Sequence, residues 1–245
     1  MKKIAILQSN YIPWKGYFDI IAHVDVFVFL DDVQYTKNDW RNRNMIKTSK
    51  GAEWLTVPIR MTGKFGQRIS ETEVTDHRWA SKHLSTIRQN YSKSAFFSTF
   101  FPELEKAYQS ISEIKSISQI NQTLIKFLCD QFGIKTKLTN STDYFSLDEL
   151  TAFSSNERII EICKKEDASF YLSGSAAKSY IDRDVFKSNG IQLAWTDYSN
   201  YPEYRQLYEP FVHAVSAIDL LFNEGPQAMN FLKGTSLAIA DDQTK

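Results

Sequence analysis

The sequence has few cysteines, no net charge and no long apolar run, and each of these shortages excludes a class of protein. Its two cysteines, Cys129 and Cys163, lie in apolar helical patterns without the spacing of metal ligands, so we interpret them as small buried hydrophobic residues. Lysine plus arginine equals aspartate plus glutamate, at 29 each. The charge balance therefore gives no reason to expect nucleic acid or an anionic membrane as a partner.

No stretch approaches the roughly 20 apolar residues that a membrane span needs. The apolar run after the N-terminal lysines is too short for a signal peptide, so we expect a cytoplasmic protein. Glycine and proline are sparse, and there is neither a linker nor a low-complexity segment. We predict one domain over residues 1–233, followed by a polar tail over 234–245 that has no pattern and is expected to be disordered.

The first thirty residues predict a strand, a loop, a helix and a second strand. Lys3–Ser9 is short and apolar, and Pro13 in the following loop prevents the strand from continuing. An apolar helical pattern and a second apolar strand, Val24–Leu30, come next. This order favours two parallel strands joined by a right-handed crossover.

Two polar loops, residues 8–17 and 31–47, begin where these strands end, which is where open α/β sheets bind their ligands. The second loop mixes acidic, basic and amide side chains with the aromatic residues Tyr35 and Trp40. Polar groups clustered with aromatic rings are typical of a binding site. The alternative is a surface loop in which Trp40 plugs the core and the charges pair with one another.

The rest of the chain predicts further strands around a helical block. Residues 53–59 are a third strand candidate, and 69–75 alternate as a half-exposed strand does. Residues 77–133 follow a helical period that Gly133 ends. The predicted fold is α/β, with a small, mostly parallel sheet of HUP- or Rossmann-like character, a helical insertion at about 77–133 and a helical C-terminal tail.

A second strand–loop–helix–strand unit follows a predicted capping box at Ser154. Its strands are 168–172 and 191–195, and its loop, 173–180, consists mostly of small residues. Free backbone N–H groups and a helix beginning near Ala177 would make this loop a phosphate site. The alternative is an ordinary connection in which a serine caps the helix. The candidate phosphate-binding residues are Ser173, Gly174 and Lys178.

Several long motifs resemble the WbqC-like protein family over residues 3–232. They are QSNYIPWKGYFDII, DVFVFLDDVQY, WRNRNMIK, WLTVPI, YLSGSAAKSYID, GIQLAWTDY and SAIDLLFNEG, in that order. The sequence departs from the family pattern at Ser9 and Ser175, where proline is common. Because proline restricts the backbone, these two differences bear on the rigidity of the loops. The family is tied to surface-polysaccharide gene clusters, so the resemblance implies a role in O-antigen or lipopolysaccharide biosynthesis.

The residue types in the loops suggest roles in a substrate site. Trp14, Tyr17 and Trp40 would stack a base or a sugar, while Arg43 and Lys47 would hold phosphate. The candidate catalytic bases are Asp32 and His83, the latter because Lys82 beside it would lower its pKa. The other predicted substrate contacts are Gln8, Tyr11 and Asn44.

The pair Asp31 and Asp32 could ligate Mg²⁺ together with substrate phosphates. Alternatively, Asp31 accepts local hydrogen bonds and Asp32 pairs with Arg43. No other metal site or cofactor is predicted.

The function that we expect is a transferase acting on a nucleotide-activated sugar or an activated acyl donor in surface-glycan biosynthesis. One alternative is a non-catalytic nucleotide-sugar-binding protein. Another is an ATP-using ligase of the nucleotidyl-transfer type, although Trp14 and Tyr17 stand where such enzymes carry histidine. In each case the partner is a small nucleotide or nucleotide sugar.

Overall fold

The computed structural model describes residues 1–232 and 237–239, and it confirms an α/β fold. Its main sheet has the order β5-β2-β1-β6-β7-β8, with every neighbouring pair parallel except β7 and β8. The strands are β1 (Lys3–Leu7), β2 (Val26–Phe29), β5 (Lys137–Asn140), β6 (Phe170–Ser173), β7 (Gln192–Thr196) and β8 (Leu237–Ile239). Among the parallel strands the chain order reverses between β1 and β6, which makes their carboxyl ends the topological switch point of the sheet.

Helices cover both faces of the sheet because alternate residues of its buried strands point to opposite sides. Ala5, Phe27 and Leu172 pack beneath the helical insertion, whereas Ile4 and Tyr171 pack against helices on the opposite side. The helices are α1 (Lys15–Ala22), α2 (Trp79–Tyr91), α3 (Phe97–Ile111), α4 (Ile117–Phe132), α5 (Leu147–Ala152), α6 (Ser155–Lys165), α7 (Arg183–Ser188) and α8 (Ala217–Glu224). None of the helices in the described part of the chain is long and apolar enough to cross a membrane.

The predicted helical insertion is confirmed as α2, α3 and α4, and Gly133 ends it in the left-handed conformation. The capping box at Ser154 is also present at the start of α6. Both cysteines are buried and free, in agreement with their interpretation as hydrophobic residues. Short local signals therefore located these elements correctly.

The second polar loop is shorter than predicted, because its last residues form a strand. Here β3 (Arg43–Thr48) pairs antiparallel with β4 (Gly51–Thr56) in a separate hairpin. Asn44 and Lys47 occupy buried positions of β3, so the strand lacks the apolar alternation that would reveal it. The predicted strand at 69–75 is wrong: this segment forms only isolated bridges.

The loop after β6 also differs from its prediction. It contains a 3-10 helix, Ser175–Ser179, and the α-helix that follows begins at Arg183 rather than near Ala177. Asp182 caps that helix by accepting from two backbone N–H groups of its first turn.

Within the tail 234–245, residues 237–239 form β8, and the remaining tail residues lie outside the described part of the chain.

Candidate functional site

A cavity of about 420 Å³ lies at the topological switch point, between the carboxyl ends of β1 and β6. We call it the switch-point cleft. It is lined by Ile6, Leu7, Gln8, Leu30, Val33, Ser155, Arg158, Ile159, Tyr171, Ser173, Gly174, Ala176, Ala177 and Tyr180. Its volume falls in the roughly 300–1,000 Å³ range of small-molecule sites.

Hydroxyl groups and small residues give the switch-point cleft its polar surface. The Tyr171 hydroxyl donates to Ser173 Oγ at 3.3 Å, and both residues are buried on β6. A Cβ at position 174 would lie 3.3 Å from the hydroxyl of Tyr198, so the glycine leaves room beside that side chain. Of the residues predicted for phosphate, Ser173 and Gly174 line this cleft.

Arg158 is the charged residue of the cleft, and the sequence analysis did not select it. It extends from α6, and its Nη1 lies 3.2 Å from Asp32 Oδ2 while its side chain is only 15% exposed. Its buried Nε has no hydrogen-bond partner among the described residues. A guanidinium held by a carboxylate on one side and free on another can accept an anion at the free edge. The signal available in the sequence was its place in the first turn of the helix that begins at the capping box of Ser154.

The carboxylates of Asp31 and Asp32 are occupied by protein donors. Asp31 accepts from the Ser9 backbone N–H at 2.8 Å, and from Ser118 and Gln122 through its second oxygen. Asp32 accepts from Ser141 at 2.5 Å and pairs with Arg158. All four oxygens are therefore engaged, and these two residues do not fit a shared Mg²⁺ site. The described residues contain no other cluster of three or more potential ligands. The alternative pairing of Asp32 with Arg43 is wrong.

Arg41 marks the boundary between the switch-point cleft and a second cavity. Its Nη2 donates to Gln8 Oε1 and its Nη1 to Asn10 Oδ1, both at 2.5 Å. Gln8 lines the cleft, whereas Asn10 lines the second cavity. Because both acceptors bind the same guanidinium group, the walls of the two cavities meet at Arg41. Its buried Nε has no partner among the described residues.

The second cavity measures about 290 Å³, and we call it the aromatic cavity. Its lining residues are Asn10, Pro13, Trp14, Trp40, Asn44 and Ala214. Trp40 and Trp54 are 41% and 46% exposed, and their ring centroids lie 5.4 Å apart. The Arg43 guanidinium covers Trp54 at 4.3 Å from the ring centroid. Trp40 and Trp54 therefore form an exposed aromatic surface, and Trp40 does not plug the core.

The loop 8–17 supplies residues to both cavities, and its backbone is strained at Ile12. Ile12 has a φ of 32°, which is rare for a β-branched residue. The Asn44 side-chain NH2 group holds this turn by donating to the carbonyls of Tyr11 and Ile12 at 3.2 and 3.0 Å. Asn44 thus supports the loop as well as lining the aromatic cavity. Strain of this kind persists where the surrounding structure fixes the backbone, as it does here.

The other predicted site residues are buried outside these two cavities or lie at their margin. The Tyr11 hydroxyl bonds His83 Nδ1 at 2.7 Å, and burial lowers the pKa of His83 to about 4. Lys82 lowers this pKa further, as predicted, although burial is the larger cause. The Tyr17 hydroxyl donates to the Gln8 carbonyl, and buried Lys47 donates to the Pro210 carbonyl. Neither His83 nor Lys47 is among the residues that line either cavity.

Trp14 and Lys178 do not meet in one cleft. Trp14 packs against Tyr198 and Tyr201, and it belongs to the core on the α1 side of the sheet. The Lys178 ammonium lies 5.9 Å from the ring centroid of Trp195, which faces the opposite side. The loops after β1 and β2 and the loop after β6 therefore border two adjoining cavities and not one cleft.

Comparison with known proteins identifies the family of this chain. The model of the WbqC-like protein family matches residues 8–231, a range that contains every lining residue of both cavities except Ile6 and Leu7. The uncharacterized protein Rv1507c of Mycobacterium tuberculosis (strain ATCC 25618 / H37Rv) is 45% identical over 233 residues, which cover 95% of this chain and 98% of that protein. No solved structure matches the chain. The chain belongs to the WbqC-like protein family.

Proposed function

We propose that this protein is a cytoplasmic transferase that binds a nucleotide-activated sugar or an activated acyl donor in the switch-point cleft. The observation that carries the proposal is the partly satisfied guanidinium of Arg158 at the carboxyl edge of the sheet. The resemblance of the motifs supports a place in surface-glycan biosynthesis, including O-antigen and lipopolysaccharide. The expected ligand is a small nucleotide or nucleotide sugar.

Arg158 is suited to hold a phosphate of such a donor. Its ion pair with Asp32 fixes the guanidinium at the wall of the cleft, where its planar fork can donate to phosphate oxygens. Ser155 from the first turn of α6 lines the same cleft, so the positive end of that helix also favours an anion there. Tyr171 and Ser173 add hydroxyl groups at the floor.

The proposed chemistry relies on charge stabilisation. In sugar transfer the bond between the anomeric carbon and the phosphate oxygen breaks, and its electron pair leaves with the phosphate. An acceptor oxygen or nitrogen forms the new bond, and the departing phosphate takes its proton. Arg158 would stabilise the negative charge that develops on that phosphate. In this proposal Asp32 positions Arg158 and is not the base. An activated acyl donor would react at its carbonyl carbon, with charge developing on the leaving group in the same way.

Binding measurements on Arg158 variants test the cleft directly. Calorimetric titration with UDP, dTDP, GDP, CMP, ADP, ATP and acetyl-CoA should identify a ligand of the wild type. Arg158→Lys keeps a positive charge beside Asp32 but loses the planar fork, so we expect binding about tenfold weaker. Arg88→Lys is the matched control, because Arg88 pairs with exposed Glu105 on a helical surface. Unchanged affinity in Arg158→Lys would exclude the cleft as the phosphate site.

A non-catalytic nucleotide-sugar-binding protein is the second candidate function. It is favoured by the engagement of both residues that the sequence suggested as bases, since Asp32 is ion-paired and His83 is buried. Release of free nucleotide on incubation with a donor and an acceptor separates the two candidates. ATP dependence of that release would instead favour a ligase of the nucleotidyl-transfer type.

A further inference from the structure

We infer that the aromatic cavity is a separate site for an uncharged pyranose ring of the acceptor, an assignment that rests on the proposed function of the neighbouring cleft. Trp14 and Trp40 form its aromatic walls, and none of its lining residues carries a charge. At about 290 Å³ it is at the lower limit of small-molecule sites. It suits one sugar ring better than a whole nucleotide sugar.

The polar groups of the cavity match sugar hydroxyls. Asn10 accepts from Arg41 through Oδ1, so the side-chain group that remains is its NH2, which donates to no described residue. Asn44 has its NH2 group and its Oδ1 already bonded to the backbone, so Asn10 is the amide available to a ligand. A flat indole face with a nearby amide donor can hold the apolar face of a pyranose and one of its hydroxyl oxygens.

The position of the cavity favours the acceptor over the base of the donor. Arg41 bonds one residue of each cavity, Gln8 and Asn10. Tyr198 joins the same two regions, because it packs on Trp14 and its hydroxyl approaches Gly174. A donor phosphate on Arg158 and an acceptor sugar on Trp40 would therefore occupy adjoining cavities whose walls meet at Arg41.

Two variants separate sugar binding from nucleotide binding. The probes are the methyl pyranosides of glucose, galactose, mannose, N-acetylglucosamine and fucose, followed by saturation-transfer NMR and calorimetry. Trp40→Ala should weaken pyranoside binding by about tenfold or more. Asn10→Asp keeps an oxygen for Arg41 but removes the NH2 donor, and it should weaken pyranoside binding by about fivefold. Both variants should keep the wild-type affinity for the nucleotide that binds the cleft.

Phe65→Ala is the control, since Phe65 is fully exposed on a different loop and should leave pyranoside binding unchanged. The inference is overturned if no pyranoside binds the wild type at tens of millimolar, or if Trp40→Ala binds sugar as the wild type does. It is also overturned if uridine or thymidine binds and Trp40→Ala removes that binding, because the cavity then holds the base of the donor. Sugar binding that persists while no phosphorylated ligand binds would overturn the proposed transferase and leave the sugar site standing.

Discussion

The two strand–loop–helix–strand units of the sheet use their polar residues in opposite ways. After β1 and β2, carboxylates and amides are held by neighbouring groups, as Asp31 and Asn44 show. After β6 the loop is built from small residues, and Ser173 and Gly174 line its cleft. The main charge of that cleft comes from α6, through Arg158. A dense run of polar residues can therefore indicate hydrogen bonds that support a loop. The residues that line the cleft stand instead in a loop of small side chains.

The largest expected effect is the loss of stability on replacing Asp31 with alanine. The substitution leaves three donors, on Ser9, Ser118 and Gln122, without their acceptor in a buried setting. We expect the free energy of unfolding to fall by about 3 kcal/mol or more, measured by urea denaturation. Nucleotide affinity of the folded protein should stay near the wild-type value.

Asp182→Ala in the second unit is the matched control for Asp31→Ala. Asp182 is an exposed cap that also accepts from backbone N–H groups, and its loss should cost about 1 kcal/mol. Equal destabilisation by the two variants would contradict the contrast between a supported loop and an open one. A large loss of nucleotide affinity in Asp31→Ala would do so as well.

The pH dependence of stability should report the burial of His83 behind the first loop. Its folded pKa of about 4 lies below the ordinary value of 6.5, so the unfolded chain takes up the proton first as the pH falls. Stability is therefore lost between pH 6.5 and 4, by roughly 3 kcal/mol. His83→Gln should lack this loss when urea midpoints are compared across the range.

His23→Gln provides a comparison of opposite sign. The hydrogen bond to Asp19 raises the pKa of His23, so this histidine stabilises the fold below its ordinary pKa and loses that effect as the pH rises through the folded value. His23→Gln should therefore be weakened most at acid pH, where His83→Gln is relatively protected. Parallel profiles for both variants would show that His83 does not titrate as a buried neutral group.

The smallest expected effect concerns Lys178, which the sequence assigned to phosphate. Its ammonium lies over Trp195, and the cleft is lined instead by its neighbours Ala176, Ala177 and Tyr180. Lys178→Ala should lower the free energy of unfolding by about 0.5 kcal/mol, the magnitude of an exposed cation–π contact. We expect unchanged nucleotide affinity in calorimetry, in contrast to Arg158→Lys. Loss of binding in Lys178→Ala would restore this lysine to the phosphate site.

Elements with local signals could be predicted from the sequence. The parallel strands β1 and β2 are predicted by two apolar runs on either side of a loop that contains a proline. Gly133 marks the end of one helix and Ser154 the start of another. The β3–β4 hairpin could not be predicted from such a local signal. Its buried positions hold Asn44 and Lys47, whose partners are distant backbone carbonyls. Hydrophobic alternation is absent where buried polar groups find such partners.

The cleft could be placed from the sequence, but its principal charge could not. Strand order put the site at the carboxyl ends of the strands, and Gln8, Ser173 and Gly174 do line the cavity there. Arg158 joins it through an ion pair with Asp32, which lies far away along the chain. No periodicity relates two such residues, since the sheet and α6 bring them together only in the folded protein. Burial of Tyr11, Tyr17 and His83 likewise depends on helices packed from distant segments.

The shape of the aromatic cavity depends on the absence of a side chain at Gly16. A Cβ there would overlap the six-membered ring of Trp14, which lies directly against the first turn of α1. A single added methyl group would have to displace the indole, and Trp14 is a wall of the cavity. Gly16→Ala would thus change the shape of the cavity without replacing any residue that lines it. In any attempt to change the ligand of this protein, the residue at position 16 would set the position of the Trp14 indole. It would thereby alter the size of the cavity, although it is not one of the lining residues.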